Sequence, residues 1–150
     1  MSTIGLDAFD RTIHETNHWL RIVMVELKTK SRHQAFTALR ASLHVLRDRI
    51  GPERAVRFAA QLPILLRGVY YEGWRPSETP TRERRLDDFL AYAESILGSD
   101  SGLDPFDAVR AGFAAIAWSI SSNEVLKLID SLPYDLRVLW PDYMFARLAS

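Results

Sequence analysis

Residues 36–67, FTALRASLHVLRDRIGPERAVRFAAQLPILLR, return at 106–137 as FDAVRAGFAAIAWSISSNEVLKLIDSLPYDLR. The two stretches align without a gap. Phe36, Ala38, Arg40, Ala41, Ile50, Leu62, Pro63, Leu66 and Arg67 meet Phe106, Ala108, Arg110, Ala111, Ile120, Leu132, Pro133, Leu136 and Arg137. Leu39/Val109, Leu43/Phe113, Leu46/Ile116 and Arg57/Lys127 are conservative matches between them. Upstream, Leu6-Asp7 and Phe9 are echoed by Leu86-Asp87 and Phe89. Matching apolar positions must solve the same packing problem, so the repeat predicts two copies of one unit sharing a core.

The repeated period is helical. Phe36, Leu39, Leu43, Leu46 and Ile50 mark one apolar face, and Phe106, Val109, Phe113, Ile116 and Ile120 mark its counterpart. Leu6, Phe9, Ile13, Leu20, Val23 and Leu27 mark a third. Ser31, Asp104 and Ser122 are expected N-caps, and Gly51-Pro52 ends one helix and opens the next. Pro63 and Pro133 each open a short helix. The pattern predicts helices near 6–28, 34–50, 53–62, 64–72, 84–97, 105–120, 123–131 and 134–140, with the segment 143–148 continuing the last or forming its own. Strand-like alternation is lacking. The expected fold is all-α: a single domain over 1–150, with repeat one at about 5–74, a breaker-rich linker at 75–81 and repeat two at about 82–149. The twelve positions Phe36, Leu43, Leu46, Ile50, Leu62, Leu66, Phe106, Phe113, Ile116, Ile120, Leu132 and Leu136 are expected to be buried.

Several function classes are disfavoured by composition. Hydrophobic residues make up 47% and charged residues 25%, and 19 basic residues balance 19 acidic ones. No net field attracts nucleic acid or an anionic membrane. The absence of cysteine excludes disulfides, thiol catalysis and thiolate metal sites. No apolar run approaches the ~20 residues that span a bilayer. The opening MSTIGLDAFDR lacks a basic segment followed by an apolar one, so no signal peptide is expected and a cytoplasmic location is.

The stretches 35–76 and 104–113, with 131–141, resemble the bacterial family filed as domain of unknown function 2267. Gln61-Leu62-Pro63, the run Arg67-Gly68-Val69-Tyr70-Tyr71-Glu72-Gly73-Trp74, Leu132-Pro133 and Leu136 to Pro141 carry the resemblance, which extends over roughly 6–141. It implies an all-helical fold and assigns no activity. Lys28-Thr29-Lys30 stands where that family has a Gly-Trp pair, so the end of the first helix is not set by the resemblance.

Four groups of residues could carry chemistry. Arg67, Tyr70, Tyr71, Glu72 and Trp74 gather aromatic faces, a guanidinium and a carboxylate, which suits a partner site; the competing and preferred reading is a joint between the halves. Arg67 and its counterpart Arg137, like Arg40 and Arg110, are expected to complete structural contacts to a carboxylate or helix end, with Asp7 and Asp87 as first choices. A pair of anion sites is the alternative. His14-Glu15-Thr16-Asn17-His18 matches H-E-x-x-H, the spacing that puts two imidazoles of a zinc hydrolase on one helix face. The extended motif is missing after His18, so His14 and His18 are expected to be partly exposed and without a third ligand, a metal-dependent hydrolase being the alternative. Arg82-Glu83-Arg84-Arg85 is short and interrupted by an acid, so a solvated face is preferred to a nucleic-acid contact. The sequence therefore predicts a binding protein without a cofactor or resident metal, engaging a protein partner or itself, with neither membrane nor nucleic acid as partner.

Overall fold

Small residues dictate how the two central helices meet. In the computed structural model, which describes residues 5–149, the helices are α1 (Asp7–Leu27), α2 (Arg32–Arg49), α3 (Pro52–Ala59), α4 (Ile64–Tyr71), α5 (Leu86–Leu97), α6 (Pro105–Ser119), α7 (Ser122–Asp130) and α8 (Asp142–Ala149). Short 3₁₀ turns lie at Pro76–Glu78 and Tyr134–Leu139, and no strand occurs among the described residues. The protein is an all-α bundle.

α2 and α6 form its centre. Residues 41–48 of α2 and 111–117 of α6 are buried on every side. A helix enclosed all round must be apolar or internally satisfied throughout. In α6 this is met by Ala108, Ala111, Gly112, Ala114, Ala115 and Ala117, with Phe113 and Ile116 filling the space between neighbours. The two helices cross at Ser42 and Gly112. A Cβ on Gly112 would fall 2.0 Å from the Ser42 hydroxyl oxygen, so this crossing requires glycine. Ser42 donates to the Ala38 carbonyl at 2.8 Å and lies 3.2 Å from the Ala108 carbonyl, spanning the crossing.

The remaining helices pack around that pair. α1 lies against α2 and α6, and α5 against α6 and α2. α4 touches α2 and α1, and the 3₁₀ turn at Tyr134–Leu139 touches α6 and α5. Two side-chain caps fasten the periphery: the Thr12 hydroxyl accepts from the Leu65 amide at 2.8 Å, and the Asp135 carboxylate from the Leu86 amide at 2.6 Å. Stacked Phe113 and Trp140, with ring centroids 4.4 Å apart, close the second half.

Local signals set most boundaries. Ser31 and Asp104 cap α2 and α6 through the Gln34 and Asp107 amides. Gly51 takes a φ of 87°, open to glycine, and Pro52 starts α3. α1 ends on Lys28 at φ 56°, a left-handed cap that glycine normally supplies.

Some expectations need correction. α7 is capped by Ser121, not Ser122, because Ile120 is already extended and the Ser121 hydroxyl accepts from the Glu124 amide. The helix expected over 134–140 is a 3₁₀ turn with i→i+3 bonds from Leu136 to Pro133 and Trp140 to Arg137. Pro141 favours an extended Trp140, which stops the turn, and the following segment forms α8 on its own. Phe36, Phe106 and Ile120 are partly exposed, because each lies near an end of its central helix, beyond the enclosed middle. The echo of Leu6 and Phe9 in Leu86 and Phe89 is not matched in burial: Phe89 is fully buried, whereas Phe9 is 61% exposed.

Candidate functional site

The sequence-predicted aromatic cluster divides between core and surface. Tyr70 is fully buried; its ring packs edge-on to Phe58 and its hydroxyl donates to the Ala55 carbonyl at 2.9 Å. Burial raises its pKa strongly. Tyr71 bridges Tyr70 and Trp74 through ring contacts of 5.3 Å on each side. Glu72 is exposed.

Beside this chain of rings lies a cleft of about 640 Å³ between α2, the linker and α5. Its floor carries the buried charged residues of α2. Arg47 donates from Nε and Nη2 to the two carboxylate oxygens of Asp48, at 2.8 and 3.3 Å. Its Nη1 donates to the carbonyls of Tyr70 and Glu72, both at 2.7 Å, and so holds the end of α4. Tyr92 on α5 donates its hydroxyl to Asp48 Oδ2. Burial, then this contact with Asp48, pushes the phenol well above its ordinary pKa. His44 Nε2 meets the Val69 carbonyl at 2.7 Å, which requires a proton on that nitrogen. Burial holds the His44 pKa below its usual value, with Arg47 and Arg40 adding to the effect. The linker and the residues after it are pinned to α2: the Thr81 amide donates to the Asp48 carbonyl at 2.8 Å, and Arg49 to the Glu83 carbonyl at 2.7 Å.

Two exposed ion pairs stand at the rim. Arg40 meets Glu72 at 3.2 Å and Arg75 meets Glu78 at 3.8 Å. Of the residues expected to bind, only Glu72 lines this cleft. The sequence reading missed His44, Arg47, Asp48 and Tyr92. A signal was available for three of them: in the alignment of the halves, His44, Arg47 and Asp48 fall against Ala114, Ala117 and Trp118. A charged or titratable residue aligned with an uncharged one marks a position that the two stretches do not share.

The repeated arginines find different partners. Arg67 donates to the carbonyls of Ala59 and Leu62, each at 3.0 Å, closing the end of α3. Arg137 instead lies 3.7 Å from Asp130 and 5.2 Å from the Tyr134 ring. Asp130 aligns with Ala60, so the first half has no carboxylate there to compete for its arginine. The proposed partners Asp7 and Asp87 are exposed and pair with neither. Arg110 approaches Asp142 at 3.7 Å.

His14, Glu15 and His18 are exposed at a shallow depression beside Trp118 and Gln61. No group of three or more His, Asp or Glu among the described residues is arranged to hold a metal ion. Arg82, Arg84 and Arg85 are exposed in the segment between the linker and α5. No helix among the described residues is long and apolar enough to cross a membrane.

A second surface emerges at the start of α1. Leu6, Phe9 and Ile13 continue the face that farther along carries Thr16, Trp19, Leu20 and Val23 into the core, yet they are half or more exposed. Ile64 and Leu65 are exposed at the same end, joined to it through the Thr12 cap.

These features define an all-helical bundle with a polar cleft and an uncovered apolar end. The chain belongs to the family of domain of unknown function 2267, described as an uncharacterized conserved protein, whose model matches residues 16–139. Comparison with curated proteins gives no match. The apolar stripe Leu6, Phe9 and Ile13, together with His14 and Glu15, precedes the matched region.

Proposed function

We propose that this protein is a non-enzymatic accessory protein of the bacterial cytoplasm that acts by protein binding, and that its first partner is a second copy of itself. The observation that carries the reading is the uncovered stripe of α1. Its apolar residues follow the helical spacing of a buried face, and that spacing normally earns a helix a partner. Contiguous exposed apolar surface of this kind marks association sites. A second copy is the occupant favoured because the stripe continues the bundle's own core face, so a twofold pairing of two such ends would extend each core into the other. Catalysis is disfavoured by the state of the acid–base groups. Both oxygens of Asp48 are engaged, His44 is held by a carbonyl, and the Tyr92 hydroxyl bonded to Asp48 has its pKa raised by burial, the reverse of an activated nucleophile.

Analytical ultracentrifugation across a wide concentration range tests this. The wild type should show a concentration-dependent dimer, and Phe9→Asp with Ile13→Asp should be monomeric with an unchanged helical spectrum. A wild type monomeric up to high micromolar concentration would overturn the reading.

The two halves, about 5–74 and 82–149 joined by the linker 75–81, we further propose to be copies related by a pseudo-twofold axis. Support comes from the pairing of elements. α1 on α6 corresponds to α5 on α2, and α4 on α2 to the turn 134–139 on α6. Ser42 and Gly112, which touch at the crossing, are themselves aligned in the repeat. A residue meets its own counterpart only on a twofold axis.

A further inference from the structure

The cleft on α2 combines a rigid floor with a rim of loosely held charges. We infer that it binds a small zwitterion of the amino-acid or dipeptide class, its carboxylate taken by Arg40 and Arg75 and its ammonium by Glu72 and Glu78. This inference goes beyond the self-association reading and does not depend on it.

The floor argues that the site is built. Arg47, Asp48 and His44 are 4%, 7% and 5% exposed, and each has a defined partner. Buried charges held this way keep their geometry. The same positions in the second half are Ala114, Ala117 and Trp118, so the crossing of the central helices can be packed without any charge. The linker is bound to this floor by the Thr81 amide, while the Thr81 hydroxyl is buried without a hydrogen-bond partner.

The rim argues for the ligand class. Its Arg40–Glu72 pair is about half exposed and its Arg75–Glu78 pair mostly exposed, and such pairs are weak in water. They can exchange partners at little cost. An anion alone would displace Glu72 from Arg40 and then lie beside the displaced carboxylate. A cation alone would meet the same difficulty at the arginines. A ligand carrying both charges replaces both partners of each pair and leaves no like charges facing each other, so the rim selects against simple ions. The volume, about 640 Å³, exceeds what the two charged ends need and leaves room for a side chain against Ile96.

Backbone-amide NMR titration of the full chain tests this, with L-glutamine and glycylglycine as zwitterions, acetate and phosphate as anions, and ethylamine as cation. Saturable shifts at Gly73, Thr81 and Ile96 are expected with a zwitterion and not with the single-charge probes. Arg75→Ala and Glu72→Gln, both at exposed positions, should each weaken binding at least tenfold with the fold retained. Ile96→Trp, which fills the cleft, should abolish it. The inference is overturned if no zwitterion gives saturable shifts, if acetate or phosphate binds as well, or if the rim variants leave zwitterion binding unchanged.

Discussion

Replacing Gly112 by alanine tests the centre of the bundle. In an exposed helix interior this change would stabilise by about 1 kcal/mol, because alanine has the better helix propensity. Here the new Cβ would fall 2.0 Å from Ser42 Oγ and 2.3 Å from Ser42 Cβ. A rotamer change can move the oxygen but not the Cβ, which is fixed to the backbone of α2. The two central helices would have to part by roughly 1 Å or more to restore ordinary carbon–carbon separation. That separation disturbs the enclosed middle of both helices, so the net loss should be about 3 kcal/mol, the upper part of the overpacking range. Ser42→Gly alone should cost about 1–2 kcal/mol, from propensity and a lost hydroxyl contact. In the double variant both clashing atoms are gone, and the nearest remaining atom to the new Cβ is the Ala38 carbonyl oxygen at 3.6 Å. Its stability should return to within about 2 kcal/mol of wild type, giving a coupling of about 3 kcal/mol in the cycle. Urea denaturation of the four proteins measures each term. A stabilised Gly112→Ala, or a cycle that is simply additive, would refute the close crossing. The exchange Ser42→Gly with Gly112→Ser addresses the pseudo-twofold: on such an axis the transferred hydroxyl reaches the same pair of carbonyls, and stability should stay near wild type.

Two further predictions concern the cleft floor. Arg47→Met leaves Asp48 buried without its bidentate partner and should destabilise by about 3–5 kcal/mol, with Asp48→Leu in addition recovering part of the loss; denaturant midpoints give both values. His44 is buried and its pKa is lowered in the folded state, so the unfolded chain takes up a proton first as pH falls. Its contribution is therefore intact above the unfolded value of about 6.5 and is lost progressively as pH drops toward the lower folded value. Thermal melts between pH 8 and pH 5 should show that decline, and His44→Gln, which keeps a donor for the Val69 carbonyl, should flatten it. An identical pH profile in the variant would show that His44 does not couple protonation to folding.

Helix identity and the apolar faces were legible in the sequence because they depend on neighbours three or four residues apart. Gly51-Pro52, Ser31 and Asp104 punctuate the chain through their own backbone preferences and side-chain oxygens, so their roles could be read locally. Leu43 and Phe113, aligned in the sequence, are both fully buried. What the sequence could not supply was distance across the fold. Whether Phe9 meets a neighbour as Phe89 does depends on where α1 outruns the bundle, and no spacing along the chain records that. Arg67 and Arg137 look equivalent in sequence, yet one caps carbonyls and the other approaches Asp130, because the 3₁₀ turn and a nearby carboxylate change what each guanidinium can reach. Tyr92 on α5 lies 44 residues from Asp48 on α2, and only tertiary packing brings the phenol to the carboxylate. Sequence thus determined which segments are helices and which faces are apolar, through local backbone and solvent preferences. The tertiary structure decided which charges are enclosed, which apolar face stays uncovered and where a cleft remains, because those follow from contacts between segments far apart in the chain.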